Sequence, residues 1–236
     1  MLSSLLSFFS SYSQNKSTYE FSEGDLFYCK HKSKYVVYKL LKHDIENETY
    51  HVINYHQLDD LPTIEGVEKL EIFGHHSPIN KHGFKNPKLI ISQVIKAEEL
   101  KGYHEYLKLT KPIDLLYKIA KDYYLIGNSF ADKKAQLKAI DEYSKAIDLI
   151  PEFIEAIDNR AFCEMELGNW NKAIKGFEQS LKILPKSTLA EFSIGECYLR
   201  LLNYDKALVQ FEKTLKIDPS HSLSKEFIKN TKALIK

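Results

Sequence analysis

The chain has 236 residues, 44% hydrophobic and 28% charged, a balance that excludes collagen-like, low-complexity and wholly disordered chains. Thirty-three basic residues face thirty-two acidic ones for a net charge of +1, and no block of like charge occurs, so nucleic acid is not an expected partner. No apolar run reaches the roughly 18 residues that a membrane span needs, and three cysteines make no disulfide framework and point to a reducing, cytoplasmic compartment.

Residues 1–18 are Ser-rich, with Leu2, Leu5, Leu6, Phe9 and Tyr12 at helical spacing and Ser3, Ser7 and Ser10 on the other face. Three readings compete: a frayed tail, a cleaved secretory signal, and a short helix that docks on the repeats or on a partner. The positive n-region and longer apolar core of a signal are missing.

Residues 19–97 read as a β-rich domain. Strand-like runs cover Asp25–Cys29, Tyr35–Leu41, Thr49–Tyr55, Leu70–Phe73 and Leu89–Ile91, with turn signals between them. Tyr, Val, Ile and Phe suit a pleated, half-buried surface. The spacing predicts a meander of three antiparallel strands closing into a small sheet or barrel. The opening Phe21-Ser-Glu-Gly-Asp-Leu-Phe27, followed by a Tyr- and Lys-rich meander, resembles small bacterial immunity-type β domains that start with a Gly-Asp-x-Phe strand. That resemblance implies an inhibitor that neutralises a toxin through this domain.

The nine histidines raise a metal reading. His75, His76 and His82 are expected in one loop, and Cys29 and His31 in another. Zinc wants three or four converging ligands at short spacings. Adjacent His75 and His76 point apart on an extended chain, and no Cys-x-x-Cys or His-Glu-x-x-His pattern occurs. Surface histidines are the better reading, and no metal or other cofactor is expected. An enzyme or metalloprotein built on the His-rich loop stays as an alternative.

A connecting helix is expected over residues 98–119. Beyond it Pro151, Pro185 and Pro219 recur at intervals of 34 residues. In register with them stand Gly127, Ala161 and Gly195, then Ala139, Ala173 and Ala207, then Tyr143, Phe177 and Phe211, then Ala146, Ser180 and Thr214. Each unit reads as two helices, the second stopped at its proline. The small residues permit close approach, and the aromatic fills the space beside them.

These residues identify residues 120–151, 154–185 and 188–219 as similar to tetratricopeptide repeats. Where that family places a turn glycine, the first unit has Lys134 and the third Leu202, so looser turns are expected there. Residues 222–236 read as a capping helix. The expected fold is therefore α+β and multidomain, a small antiparallel β-rich domain followed by an all-α solenoid over residues 120–236.

The resemblance implies a concave groove lined by the first helix of each unit. Its positions fall on Lys121, Tyr124, Leu125 and Asn128, on Glu155, Asp158, Asn159 and Phe162, and on Leu189, Phe192, Ser193 and Glu196. Of these, Tyr124, Asn128, Asp158, Asn159, Phe162, Phe192 and Glu196 are the candidate peptide-binding residues. Co-chaperone members of the family hold a peptide's terminal carboxylate with two Asn and three basic residues. Asn128 and Asn159 match the Asn positions, but Tyr124, Leu189 and Ser193 occupy the basic ones. Without cations the carboxylate loses its charge-assisted bonds. A chaperone tail is therefore not expected, and a peptide with apolar and basic side chains suits the mildly acidic groove.

Cys163 and Cys197 stand one repeat apart, too far for a disulfide, and read as packing residues. Glu142, Asp148, Glu178 and Glu212 read as solvated helix-surface carboxylates paired with Lys. No nucleophile elbow, phosphate loop or dinucleotide fingerprint appears. The sequence thus predicts a non-enzymatic scaffold or adaptor for a protein or peptide.

Overall fold

The computed structural model describes residues 20–235. The expectation of a docking helix over residues 1–12 lies outside them. The chain divides between Ile95 and Lys96 into two compact units.

The first unit is one antiparallel sheet of five strands: β1 (Asp25–His31), β2 (Lys34–Asp44), β3 (Thr49–Tyr55), β4 (Ile72–Asn80) and β5 (Lys88–Ser92). Their order is β4-β3-β2-β1-β5. The meander therefore runs on through β4, and β5 returns to pair with β1. The sheet stays open, with β4 and β5 as its edges, rather than closing into a barrel. Alternation places Phe27 and Leu40 on one face, where they form a core with Phe21, Tyr50 and Val52. Phe21 stacks on Phe27 at 4.2 Å between ring centroids. Phe84, from the β4–β5 connection, meets Phe27 edge-on at 5.0 Å.

The Gly24-Asp25 pair joins the sheet's distant strands. Gly24 has φ +95°, and a Cβ there would collide with the Gln93 carbonyl. Its N–H donates to Leu40 at 2.8 Å, and its carbonyl accepts from Gln93 at 3.0 Å. The Asp25 carboxylate accepts from the Ser22 N–H at 2.8 Å and the Ser92 hydroxyl at 2.5 Å.

The histidines are not in loops. His75 and His76 lie on β4, Cys29 and His31 on β1, and His82 in a short 3-10 turn after β4. The extended chain separates the side chains of neighbouring residues. His76 Nε2 instead lies 2.8 Å from His51 Nδ1 on β3. Among the described residues no group of three or more His, Cys, Asp or Glu could hold a metal ion.

The second unit is helical: α1 (Lys101–Thr110), α2 (Ile113–Asp132), α3 (Gln136–Leu149), α4 (Ile154–Glu166), α5 (Trp170–Ile183), α6 (Thr188–Arg200), α7 (Tyr204–Ile217) and α8 (Ser222–Leu234). Pro112 interrupts the stretch expected as one connecting helix, and α2 runs from there through the start of the first repeat. The helices then pair as α2/α3, α4/α5 and α6/α7, with α8 against α7.

The contact inside each pair is close. A Cβ on Gly127 would stand 2.6 Å from the Tyr143 ring, and one on Gly195 would stand 2.5 Å from the Phe211 ring. The middle unit reaches the same closeness differently. Ala161 keeps its methyl there, and Gly176 on α5 makes room for it, a Cβ on Gly176 coming within 2.8 Å of Ala161 Cβ.

The turns within the pairs are alike. Lys134, Gly168 and Leu202 have φ of +57°, +75° and +58°. The two non-glycine turns are thus as tight as the glycine one, contrary to the expectation of looser turns. The cost is borne by the residues, since a side chain in the left-handed region loses about 1 kcal/mol or more.

Asp148 is not a solvated carboxylate. Its Oδ2 accepts from Nδ1 of the fully buried His104 on α1 at 2.6 Å. Burial lowers the His104 pKa, and the Asp148 contact opposes that shift without reversing it. His104 Nε2 is buried with no hydrogen-bond partner, so a proton placed there would have no acceptor.

Two predictions follow from this packing. Gly168→Ala, which meets nothing within 4 Å, should cost about 1 kcal/mol by urea denaturation, and Leu202→Gly or Lys134→Gly should gain up to about 1 kcal/mol. His104 binds a proton more readily unfolded than folded. Its contribution is therefore present above the unfolded pKa of about 6.5 and is lost as pH falls below it. The urea-denaturation stability followed by helical circular dichroism should fall between pH 7 and pH 5, with a smaller fall in His104→Gln.

Candidate peptide-binding groove

The first helices of the units, α2, α4 and α6, carry the groove positions that the sequence singles out. Tyr124, Asn128 and Asn159 come together in one network. Asn128 Oδ1 accepts from the Tyr143 hydroxyl at 2.8 Å and from Asn159 Nδ2 at 3.0 Å. Asn159 Nδ2 also donates to the Tyr124 hydroxyl at 3.3 Å. The Tyr124 ring packs against Phe153 at 5.1 Å and Tyr143 at 5.9 Å.

This arrangement orients the two amides together, so that one is left with a donor and the other with an acceptor. Both lone pairs of Asn128 Oδ1 are engaged, and both protons of Asn159 Nδ2 are given away. Asn128 is left with a donor amide and Asn159 with an acceptor carbonyl. That pair matches the carbonyl and N–H of a peptide backbone. Tyr143 also explains why the first unit has a hydroxyl where the others have Phe177 and Phe211. It is 1% exposed, and its pKa is pushed up to about 12, chiefly by burial.

The other candidates are placed differently. Phe162 is half-buried, edge-on to Phe177 at 5.1 Å. Phe192 is packed among Phe211, His221 and Phe227 at 5.5, 5.0 and 5.4 Å, so the capping helix already occupies much of its ring. Asp158 is buried, and its Oδ1 has no hydrogen-bond partner. Burial raises its pKa, and so does the charge of Glu155, while the Ser180 hydroxyl opposes. Burial also raises the Glu196 pKa, with the Arg200 charge opposing. Glu155 is the exposed carboxylate of the set.

Of the remaining groove positions, Lys121, Leu125 and Leu189 are exposed and Ser193 is buried. Leu189 on α6 and Leu223 on α8 stand one repeat apart, 48% and 50% exposed. Sequence reasoning missed the ties made by Tyr143 and Phe153. The Tyr in place of Phe at residue 143 was the available signal, whereas Phe153 had none. Cys163 and Cys197 are buried free thiols. Burial pushes them up to about 11 and about 12, so both stay protonated and unreactive at neutral pH.

Family models of the tetratricopeptide repeat match residues 155–187 and 192–221. Residues 155–221 of the chain therefore carry tetratricopeptide repeats. The first unit lies outside both matches but has the same left-handed turn and the same glycine–aromatic contact as the third. No curated protein matches the chain. Among solved structures, the first such domain of Spaghetti (RPAP3), bound to the HSP90 peptide SRMEEVD, is 19% identical. It aligns over 50% of this chain and 94% of its own with a TM-score of 0.48. The Arabidopsis OM64 domain is 23% identical over 49% and 96%, with a TM-score of 0.47. The Sgt2 domain from Aspergillus fumigatus is 24% identical over 49% and 78%, with a TM-score of 0.46. No described helix is long and apolar enough to cross a membrane.

The network makes a testable claim about stability. Asn128→Ala leaves the buried Tyr143 hydroxyl without its acceptor and should cost about 1–3 kcal/mol in urea denaturation. Tyr143→Phe added to that variant should recover part of the loss, because the orphaned hydroxyl is then gone.

Proposed function

We propose that this protein is a non-enzymatic adaptor whose repeat groove binds an extended segment of a partner protein. The observation that carries the reading is the oriented Asn128–Asn159 pair, which offers one donor amide and one acceptor carbonyl at the groove. Fixed by Tyr124 and Tyr143, the two amides are ordered before a ligand arrives, so binding costs little side-chain entropy. They read backbone and give no sequence preference. Preference comes from the surroundings. Leu125, Leu189 and Leu223 are exposed apolar contacts, and Glu155 favours a basic side chain on the ligand.

The same positions argue against a terminal carboxylate. Tyr124, Leu189 and Ser193 bring no cation, and the Tyr124 hydroxyl is already bonded to Asn159. An internal segment, with both ends continuing past the groove, fits better than a chain end.

Two measurements test the proposal. Selection from a random-peptide library on the full chain should return sequences rich in apolar and basic residues. Glu155→Lys combined with Leu189→Glu, both at exposed positions, should weaken a selected peptide at least about tenfold, or about 1.4 kcal/mol, with the helical signal unchanged. Unchanged affinity would exclude this groove. The peptide SGPTIEEVD, found bound to the second such domain of human RPAP3, should bind no tighter than about 1 mM. Tight binding that depends on its free carboxylate would overturn the assignment to an internal segment.

A further inference from the structure

The sheet unit contains a cavity of about 740 Å³ that the groove reading does not use. Pockets for small ligands run from about 300 to 1,000 Å³. Cys29, Val36, Tyr38 and Asn54 from β1, β2 and β3 line it, together with Gly83, Phe84 and Lys85 of the β4–β5 connection. The sheet register places Cys29 opposite Val36 and Tyr38 opposite Asn54, so this lining is one continuous face.

The lining has a definite chemistry. Its aromatic rings are braced by one another: Tyr38 meets Phe84 edge-on at 5.1 Å, and Phe73 meets His56 edge-on at 5.3 Å. Phe73 is nevertheless 71% exposed, an aromatic ring left in water beside the cavity. Lys30, Lys85, His31 and His56 also line it, whereas no Asp or Glu does. The Lys30 side chain turns to the other face of the sheet, where its Nζ lies 5.5 Å from the Tyr35 ring centroid, so Lys85 is the lysine left to face the cavity. Neither Lys30 nor Lys85 forms a salt bridge among the described residues, although Lys34 and Lys42 on the same sheet are paired with Asp59 and Glu23. A cavity with rings and an unneutralised cation favours an anion over a cation or a neutral molecule. Gln57 adds a polar residue at the same lining.

We propose that this cavity binds a small anion bearing a planar aromatic ring, the ring seated among Tyr38, Phe73 and Phe84 and the anionic group met by Lys85. The site binds and does not attack. Burial pushes the Cys29 thiol up to about 11 despite the Lys85 backbone N–H that favours its thiolate, so it is no nucleophile at neutral pH. Two sources share this chemistry, a nucleoside monophosphate and an aromatic carboxylate.

The test titrates the full chain with AMP and, separately, with 2-naphthoate, following amide NMR shifts. Adenosine, 2-naphthylmethanol and inorganic phosphate serve as controls. At least one anion should bind with a Kd below about 1 mM, and its ringless or uncharged counterparts should bind at least about tenfold more weakly. Shifts should centre on residues 29–31, 56–57 and 83–85. The exposed-site variants Lys85→Ala and Phe73→Ala should each weaken binding about tenfold while the NMR spectrum stays folded. If neither anion binds, if the uncharged ring binds equally well, or if the variants bind unchanged, the proposal is overturned. It is also overturned if an eight-residue oligothymidylate binds more tightly than either small anion, because the cavity would then be part of a strand-binding surface.

Discussion

Everything in the helical unit depends on how closely two helices can approach. In the outer pairs the backbone of one helix lies directly against the aromatic ring of the next, and a single methyl on Gly127 or Gly195 would stand about 1 Å inside ordinary contact. The middle pair shows that the spacing, not a particular glycine, is what the fold requires. Ala161 is tolerated because Gly176 gives up its own side chain on the facing helix. Helix spacing then sets the repeat rotation, and the repeat rotation brings α2 and α4 near enough for Asn128 to bond Asn159. The groove's polar pair is a consequence of packing several ångströms beneath it.

That coupling explains why the two amides sit where they do. A Tyr143 hydroxyl at the buried seam can reach Asn128 only because Gly127 lets the ring lie flat against α2. The hydroxyl fixes the amide, the amide fixes Asn159, and Asn159 engages Tyr124. Each link is a neutral hydrogen bond worth about 1 kcal/mol, yet leaving a buried member unpaired costs more than forming it gains. Asn128 is therefore more a structural residue than its place in the groove suggests. Phe192 likewise spends its ring on Phe211 and Phe227. The exposed leucines and Glu155 are the side chains with contact surface still to give.

The repeat half was legible in the sequence because a period of 34 residues carries packing and connectivity together. What the period could not convey was backbone energy. Lys134 and Leu202 look like departures from a turn glycine, but the turn is dictated by the two helices it joins, and the residues adopt the left-handed conformation regardless. Asp148 was misread for a related reason: its neighbours in sequence are helix-surface residues, whereas its partner, His104, comes from 44 positions earlier. In the sheet half the strands were legible from alternation and β-branched content. The return of β5 beside β1 was not, since it rests on Gly24 and Asp25 meeting Gln93 and Ser92 across nearly the whole unit. The ring-lined cavity was equally hidden, assembled from four strands and a connection that no local pattern links.

The two units therefore place their chemistry by opposite means. In the repeats, side chains one period apart are equivalent by construction, and the polar network arises where that equivalence is broken: Tyr143 for Phe, Asn159 for Leu125 and Ser193. In the sheet nothing repeats, and the cavity exists because one connection folds Phe84 over the Phe27 cluster and carries Lys85 with it. The aromatic contact that holds the connection down also delivers the cation. Weakening Phe84 would loosen core and cavity together, whereas Phe73 and Lys85, at exposed positions, can change without cost to the core. Residues free to vary in that way stand, in both units, beside and not within the contacts that hold the fold.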